Sequence, residues 1–544
     1  MISLAVNPGF LLLAAALLAP AAPRALRGPL AVLAAAAAIA APFLTDFGDY
    51  ARYVPLGVEL VPLRLDPLSQ VFGLGVGLAT MALAIAGLER ASLLETCAIL
   101  ALAGGASGAI YAGDLISFTA FLECASLAIC AVVFSAGGAP ARGASVLVLG
   151  WQAFGGACLA VGAGLLRGES GDLGLNDRLV ADPGGALLLA GLLIKVGAAP
   201  LAHVWLREAL RHASARGVAA VAGLGLIAPL YGLARAFPGE PALALLGAAM
   251  AILPLPLAAL EQDPRRLAAY GLASLAGLTA LSAGLGGALG QGAAAASAFA
   301  LCLGGALLGL SLERGRGVLG AGLAVVGAAS LFGAPGTLGY AAAALQIEAA
   351  LRGASALVWL ALLGGLAGTV LHVGVRFWVL SGPGDQEQPQ VAFATTLANS
   401  LLAFFILVIG VNPGWLFALL PPGAALPDLF RPDRLLGQAQ VLAGAAAGLA
   451  VLQQLRLYPR LRPVQAADLP DLILLISKAA NRSFAPVAGE MHRRVTRSAA
   501  QVSHAFAIGS RLQAVFVLLE KRELGGPLLA LVLAAALAVG FSIL

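Results

Sequence analysis

The stretch Ala186–Trp205 reads ALLLAGLLIKVGAAPLAHVW, and one residue in it decides how the whole chain is read. Lys195 lies inside an apolar run, Ala186 to Ala202, with no water at hand to solvate an ammonium group. The chain has three lysines, and the other two, Lys478 and Lys521, fall in a polar C-terminal region. An ionisable group at membrane depth costs about 3 kcal/mol or more, so it is read as functional and needs a partner. The acid best placed is Glu123, in the apolar run Leu115–Phe134.

The surroundings support a membrane setting. The chain has 544 residues, 60% hydrophobic and 11% charged, with a mean hydropathy of +0.94. Soluble domains carry roughly 25% charged residues. Ala, Gly and Leu fill runs of about 20 residues, the length that spans a bilayer as helix. A β-barrel would need short segments alternating with polar lumen residues, and these are absent. The net charge of +5 comes from arginines at the ends of apolar runs, so it does not point to nucleic acid. The five cysteines, Cys97, Cys124, Cys130, Cys158 and Cys302, sit in apolar runs without CxxC spacing or a partnering histidine. They read as small core residues, and no metal or cofactor is expected. The apolar stretch Phe10–Ala22 has no basic residue before it and reads as a first membrane helix rather than a cleaved leader.

Apolar runs recur about sixteen times, most of them long enough to span. Two, over 184–210 and 317–350, are interrupted, the first at Gly197–Pro200 and the second at Gly333, Pro335 and Gly336. Proline removes a backbone donor and clashes with the preceding turn, so Pro200 and Pro335 mark discontinuous helices. A pair of such helices in two halves points to inverted repeats with a site near the midplane. The fold expected is an all-α polytopic membrane protein of about 14–16 transmembrane helices, with inverted repeats each holding a broken helix. A C-terminal amphipathic surface helix is expected in addition. In 487–523 apolar residues recur at helical spacing opposite Arg493, Arg494 and Arg497, a pattern suited to a membrane surface or a partner.

Arginine placement sets the orientation. Over residues 1–316 one set of alternate loops holds eleven arginines, among them Arg207, Arg211, Arg265 and Arg266. The other holds five: Arg52, Arg64, Arg167, Arg178 and Arg235. The richer side is expected in the cytoplasm, with the N-terminus outside and the chain multi-pass in the inner (cytoplasmic) membrane.

Glu123 lies nine residues beyond Asp114, about 13 Å along a helix and near mid-membrane. Desolvation works against the Lys195 ammonium and a nearby carboxylate works for it, so the pair can gain and lose protons as its members move. The bland alternative is an inert salt bridge between two helices, but burying an ion pair is a poor way to gain stability. His203 and His212 flank one end of the broken helix. Lone histidines there are as often interfacial, and Trp205 reads as an interface anchor. Tyr270 and Ser274 can line a water path or simply aid packing.

These residues, taken in order, carry a resemblance. Lys195-Val-Gly-Ala-Ala-Pro200-Leu-Ala-His203-Val-Trp205-Leu, with Glu208 after it, resembles the broken seventh helix of the antiporter-like membrane subunits. Such subunits occur in respiratory complex I, Mrp-type cation/proton antiporters and membrane-bound hydrogenases. Tyr231-Gly-Leu-Ala-Arg235 resembles the end of the family's eighth helix. Asp263-Pro-Arg-Arg-Leu-Ala-Ala-Tyr270-Gly-Leu-Ala-Ser274 is similar to its Asp-x-Lys-Lys/Arg-x-Leu-Ala-Tyr-Ser stretch. Asp114-Leu-Ile-Ser-Phe with Glu123 resembles its fifth helix, and Gly333-Ala-Pro335-Gly-Thr-Leu-Gly339-Tyr340 the break in its twelfth. The likeness runs over about residues 60–420 and leans toward the Mrp and hydrogenase branch of the family.

The resemblance implies a proton pathway through Glu123, Lys195 and His203, with Asp114, Tyr270, Ser274 and Glu348 in support. It implies a division into N-terminal helices (1–90), a first repeat (91–236), a diverged second repeat (237–378), C-terminal helices (379–455), a lateral amphipathic region (456–525) and a final span (526–544). Partners would be other membrane subunits of one complex, the lipid bilayer, and protons or monovalent cations. The chain would be at most a non-catalytic membrane subunit of an NADH:quinone oxidoreductase-like or hydrogenase-like assembly. The sequence departs from the family where the eighth, eleventh and twelfth helices usually carry Lys, His or Glu. Val218–Leu230 and Ala294–Leu310 have none, and Ala341–Ala343 follow Tyr340. The alternative function is therefore a diverged, non-conducting structural or regulatory subunit.

Overall fold

The computed structural model describes residues 6–454 except 51, 55–58, 90–91, 172, 179, 314–317, 378–391 and 425–428. The described residues form an all-α polytopic membrane protein with one small hairpin. Eleven helical stretches are long and apolar enough to cross a membrane, and three shorter apolar helices accompany them. The surface helix expected over 456–525 and the span expected over 526–544 lie outside the described residues.

Helices α1 (Pro8–Leu18) and α2 (Arg24–Ala40) lead to the strands β1 (Gly48–Tyr50) and β2 (Leu63–Leu65), paired antiparallel with Asp49 opposite Arg64. Next come α3 (Pro67–Ala86), α4 (Leu93–Ile110), α5 (Leu115–Phe134) and the long α6 (Gly138–Ser170). The first turn of a helix leaves backbone N–H groups unpaired, a cost that rises away from water. Here Asp66, Ser92 and Asp114 cap α3, α4 and α5 with their side chains.

Helix α7 (Pro183–Val196) stops where Gly197 adopts φ 77°, a left-handed conformation that suits glycine. The chain resumes as α8 (His203–His212). Then α9 (Ala215–Ala220), a π-turn at Val221–Gly225 and α10 (Ile227–Ala236) form one continuous span. The π-turn answers Pro229, whose ring would clash with the Gly225 carbonyl in a regular helix. The second part runs through α11 (Pro241–Ile252), α12 (Pro254–Leu260), α13 (Pro264–Leu285) and α14 (Gly287–Leu310). Helix α15 (Val318–Leu331) is separated from α16 (Leu338–Gly353) by Gly333 at φ 75° and Gly336 at φ 82°. Helices α17 (Ala356–Thr369), α18 (Phe393–Val411) and α19 (Pro432–Gln454) complete the described chain.

The span 215–236 and α14 are wholly enclosed and form the axis of the bundle, while α2 and α6 are largely open on their outer flanks. Small residues let the helices close up: a Cβ at Gly277 of α13 would stand 2.5 Å from the backbone nitrogen of Ala251 on α11. Ion pairs at the helix ends join loops of the same set. Asp66 pairs with Arg235 and Asp49 with Arg64 at one end; Glu95 with Arg216, Asp263 with Arg211 and Glu208 with Arg266 at the other. The two loop sets read from the arginines therefore occupy opposite ends of the bundle.

Candidate functional site

Lys195 projects from the last turn of α7 into a cleft between α5 and α6, and its side chain is 1% exposed. Its Nζ lies 2.7 Å from Glu123 Oε1 on α5. It also donates to Ser126 Oγ at 2.7 Å and to the backbone carbonyl of Gln152 on α6 at 3.1 Å. Three oxygens thus surround a group with three protons, the full complement an ammonium can use. Helical spacing explains the arrangement. Glu123 and Ser126 are three apart and share a face of α5; Gln152, Gly155 and Gly156 do the same on α6. Ser126 Oγ also stands 3.0 Å from Gln152 Oε1, so the hydroxyl links the ammonium to a side-chain amide.

The two glycines of α6 make the room. A Cβ at Gly155 would stand 3.0 Å from Lys195 Cγ, and one at Gly156 would stand 2.7 Å from Glu123 Cδ. Both are closer than packed carbons tolerate. The Glu123 side chain is 36% exposed, on the flank where α5 meets the open side of α6. The pair is therefore asymmetric: the ammonium is locked inside, and the carboxylate opens outward. Ser126, Gln152, Gly155 and Gly156 were not legible in the sequence. The signal that could have found them is their i, i+3, i+4 spacing on helices 5 and 6.

The other residues named from the sequence fall elsewhere. Asp114 is spent as a cap: Oδ1 accepts from the backbone N–H of Ile116 at 2.9 Å and of Ser117 at 2.8 Å, and Oδ2 accepts from that of Val61 at 2.7 Å. His203 is buried at the start of α8, its ring 5.5 Å from that of Tyr270 on α13, and its Nδ1 has no hydrogen-bond partner. This leaves one buried ring nitrogen of His203 open beside a tyrosine. Ser274 donates to the Ala251 carbonyl at 2.6 Å and so ties α13 to α11. Glu348 pairs with Arg352 at 2.8 Å, one turn along α16. Pro200 stands in the turn between α7 and α8, and Pro335 between the two glycines that separate α15 from α16.

At one end of the bundle Glu208 is the hub of a charged cluster, with Arg207 at 3.1 Å, Arg266 at 3.3 Å and His212 at 3.4 Å. Among the described residues no group of three or more His, Cys, Asp or Glu side chains could hold a metal ion. The site itself brings together one ammonium, one carboxylate and the hydroxyl and amide groups around them.

Residues 112–307 match the model of the family described as NADH:quinone oxidoreductase/Mrp antiporter, TM. That segment holds Asp114, Glu123, Lys195, His203, Tyr270 and Ser274. No curated protein sequence matches the chain. Among solved structures, a chain of the archaeal respiratory complex called membrane-bound sulfane sulfur reductase is similar, with TM-score 0.66, 21% identity and coverage of 77% of this chain and 78% of that one. A chain of the Mrp complex from Dietzia sp. DQ12-45-1b gives 0.66, 20% identity and coverage of 81% and 99%. A chain of respiratory complex I from Thermus thermophilus gives 0.65, 24% identity and coverage of 76% and 98%. The chain shares the fold of these membrane-complex chains, and over residues 112–307 it matches the family model described as NADH:quinone oxidoreductase/Mrp antiporter, TM.

Proposed function

We propose that this chain is a membrane subunit of a proton- or cation-translocating complex of the Mrp or complex I kind, in which the Glu123–Lys195 pair holds and releases a proton. The observation that carries the reading is the Lys195 ammonium, 1% exposed, with the Glu123 carboxylate 2.7 Å away. An ion pair buried in a membrane seldom repays its desolvation as stability, which favours a working role. Lys195 stands on the last turn before the α7–α8 turn, where a small movement of the backbone changes its distance to Glu123. When the carboxylate swings away, the ammonium loses its counter-charge and gives up a proton; when it returns, the amine takes one back. Ser126 and Gln152 hold the nitrogen in place during the exchange, and His203 with Tyr270 offers the next polar station toward the Glu208 cluster.

The two helix breaks, at Gly197–Pro200 and at Gly333–Gly336, fit a pair of inverted repeats whose halves meet near the midplane. The partners would be neighbouring membrane subunits, in the inner membrane with the Glu208 end in the cytoplasm. The test is proton flux in proteoliposomes holding the assembled complex. Wild type should conduct, and Lys195→Ala and Glu123→Gln should each abolish flux; equal flux in all three removes the pair from the pathway.

One observation favours a second reading. Helix α14 carries no carboxylate, lysine or histidine, and four alanines follow Tyr340 on α16. A chain without lysine, histidine or carboxylate along α14 and the first two turns of α16 can serve as a non-conducting structural subunit. Wild-type complex in which replacing this chain's pair leaves flux unchanged is the result expected of that role.

A further inference from the structure

The second half lacks buried charge along α14 and the start of α16 but is not wholly apolar. A small cavity lies between α13, α14, α16 and α17, against the break that ends α15. Its polar lining is Thr279, Ser297, Ser330 and Gln346, each nine-tenths or more buried. The hydroxyls of Ser297 and Ser330 have no hydrogen-bond partner in the protein. Buried hydroxyls are almost always satisfied, so each unpaired one calls for an explanation. Polar cavities with two or more such groups hold water, whereas apolar ones stay empty. This one has room for about two water molecules. No acid or base lines it, so a bare cation would stand there without counter-charge at membrane depth.

The cavity is also built into the break. Gly333 takes φ 75°, and Gln438 of α19 donates to its carbonyl at 2.6 Å. Gly339, at the start of α16, lies so close to the Ser330 carbonyl that no side chain fits between them. The interruption between α15 and α16 is thereby held beside Ser330.

We propose that this cavity binds a pair of water molecules joining Ser297 to Ser330, and that the pair is an uncharged relay for protons in the second half. It rests on the reading that the chain moves protons. At each oxygen one O–H bond forms with the incoming proton as another breaks toward the next acceptor, and no side chain changes its charge. Such a relay would serve where the family's ionisable residues are missing.

The experiment uses the full chain in its complex. A map fine enough to show ordered water elsewhere should show two peaks within hydrogen-bond distance of Ser297 Oγ and Ser330 Oγ. Ser297→Ala/Ser330→Ala should lose the peaks and lower proton flux about tenfold in proteoliposomes, and Ser297→Thr should keep flux within a factor of about three. Thermal unfolding of Ser330→Ala gives an independent reading. Loss of a hydroxyl that holds water lowers the melting temperature; loss of one that is truly orphaned raises it. A dry cavity, a raised melting temperature, or a thallium ion seated between the serines overturns the proposal. Water in place with no wild-type flux sinks the relay along with the proposed function and upholds the site. Flux abolished by Lys195→Ala but untouched by the double serine change sinks the relay alone.

Discussion

Replacing Glu123 by Gln should destabilise the chain more than replacing Lys195 by Met, and the double change should restore most of the loss. At 2.7 Å and an effective dielectric of ~20, two unit charges attract by about 6 kcal/mol. Most of that offsets the several kcal/mol needed to take each ion out of water. Glu123→Gln removes the attraction and leaves the ammonium, 1% exposed, still to be desolvated. Breaking such a pair costs about 3–5 kcal/mol. Lys195→Met removes the enclosed charge and keeps the volume. The remaining carboxylate is on the open flank, where its side chain has room to move, so the cost should be about 1–2 kcal/mol. With both charges gone no ion is stranded, and the double variant should lie within about 1 kcal/mol of wild type. The coupling is then at least about 3 kcal/mol, well beyond the scatter of additive changes. Reversible unfolding in mixed micelles, read by tryptophan fluorescence, measures all four corners of the cycle. Additive single effects, or Glu123→Gln within about 0.5 kcal/mol of wild type, refute the claim that the ammonium depends on this acid.

Further outcomes follow from the same geometry. Gly156→Ala should crowd the Glu123 carboxylate and lower flux severalfold, whereas Gly164→Ala, on the same helix with open space around it, should be neutral or stabilising by about 0.5 kcal/mol. Unfolding and flux assays on the two variants check this. Asp114→Ala strips three backbone N–H groups of their acceptor and should cost about 2 kcal/mol, with Asp114→Asn less harmful; denaturant titration decides. Ser126→Ala removes one of the three oxygens at Nζ and should shift the pH midpoint of flux while leaving the fold intact. In the hairpin, the Arg64 guanidinium beside Asp49 holds its carboxyl below the ordinary value of 3.8. The folded form therefore gains stability from this pair above pH 3.8 and loses it as pH falls through the lowered value. Arg64→Gln should narrow the gap from wild type in that acid window, and a pH series of unfolding midpoints that stays parallel throughout contradicts it.

Much of the architecture is legible because membrane helices announce themselves by length and by lack of charge. A lysine in Ala186–Ala202 stands out for the same reason: nothing around it can solvate it, so its partner must come from another apolar run. Glu123 was the acid at matching depth, and the two do meet. What escaped was everything uncharged. Ser126 and Gln152 look like ordinary small or polar residues on membrane helices, and only helix packing shows that both face Lys195. Gly155 and Gly156 are two of 69 glycines, and their role is the absence of an atom. The second half looked dry because the sequence offers long runs of Ala and Leu; the cavity forms where Thr279, Ser297, Ser330 and Gln346 converge from separate helices. Asp114 shows the opposite effect. The family resemblance implied a supporting part in the pathway, while the backbone amides around it take up both of its oxygens.

The bare patch at Gly155–Gly156 also bears on how such a pair is lost. A copy can keep its acid and its amine, and pass any inspection that looks for charged letters, yet have the pair pushed out of place by one methyl group at position 156. The meeting of acid and amine rests as much on what helix 6 omits as on what its neighbours present.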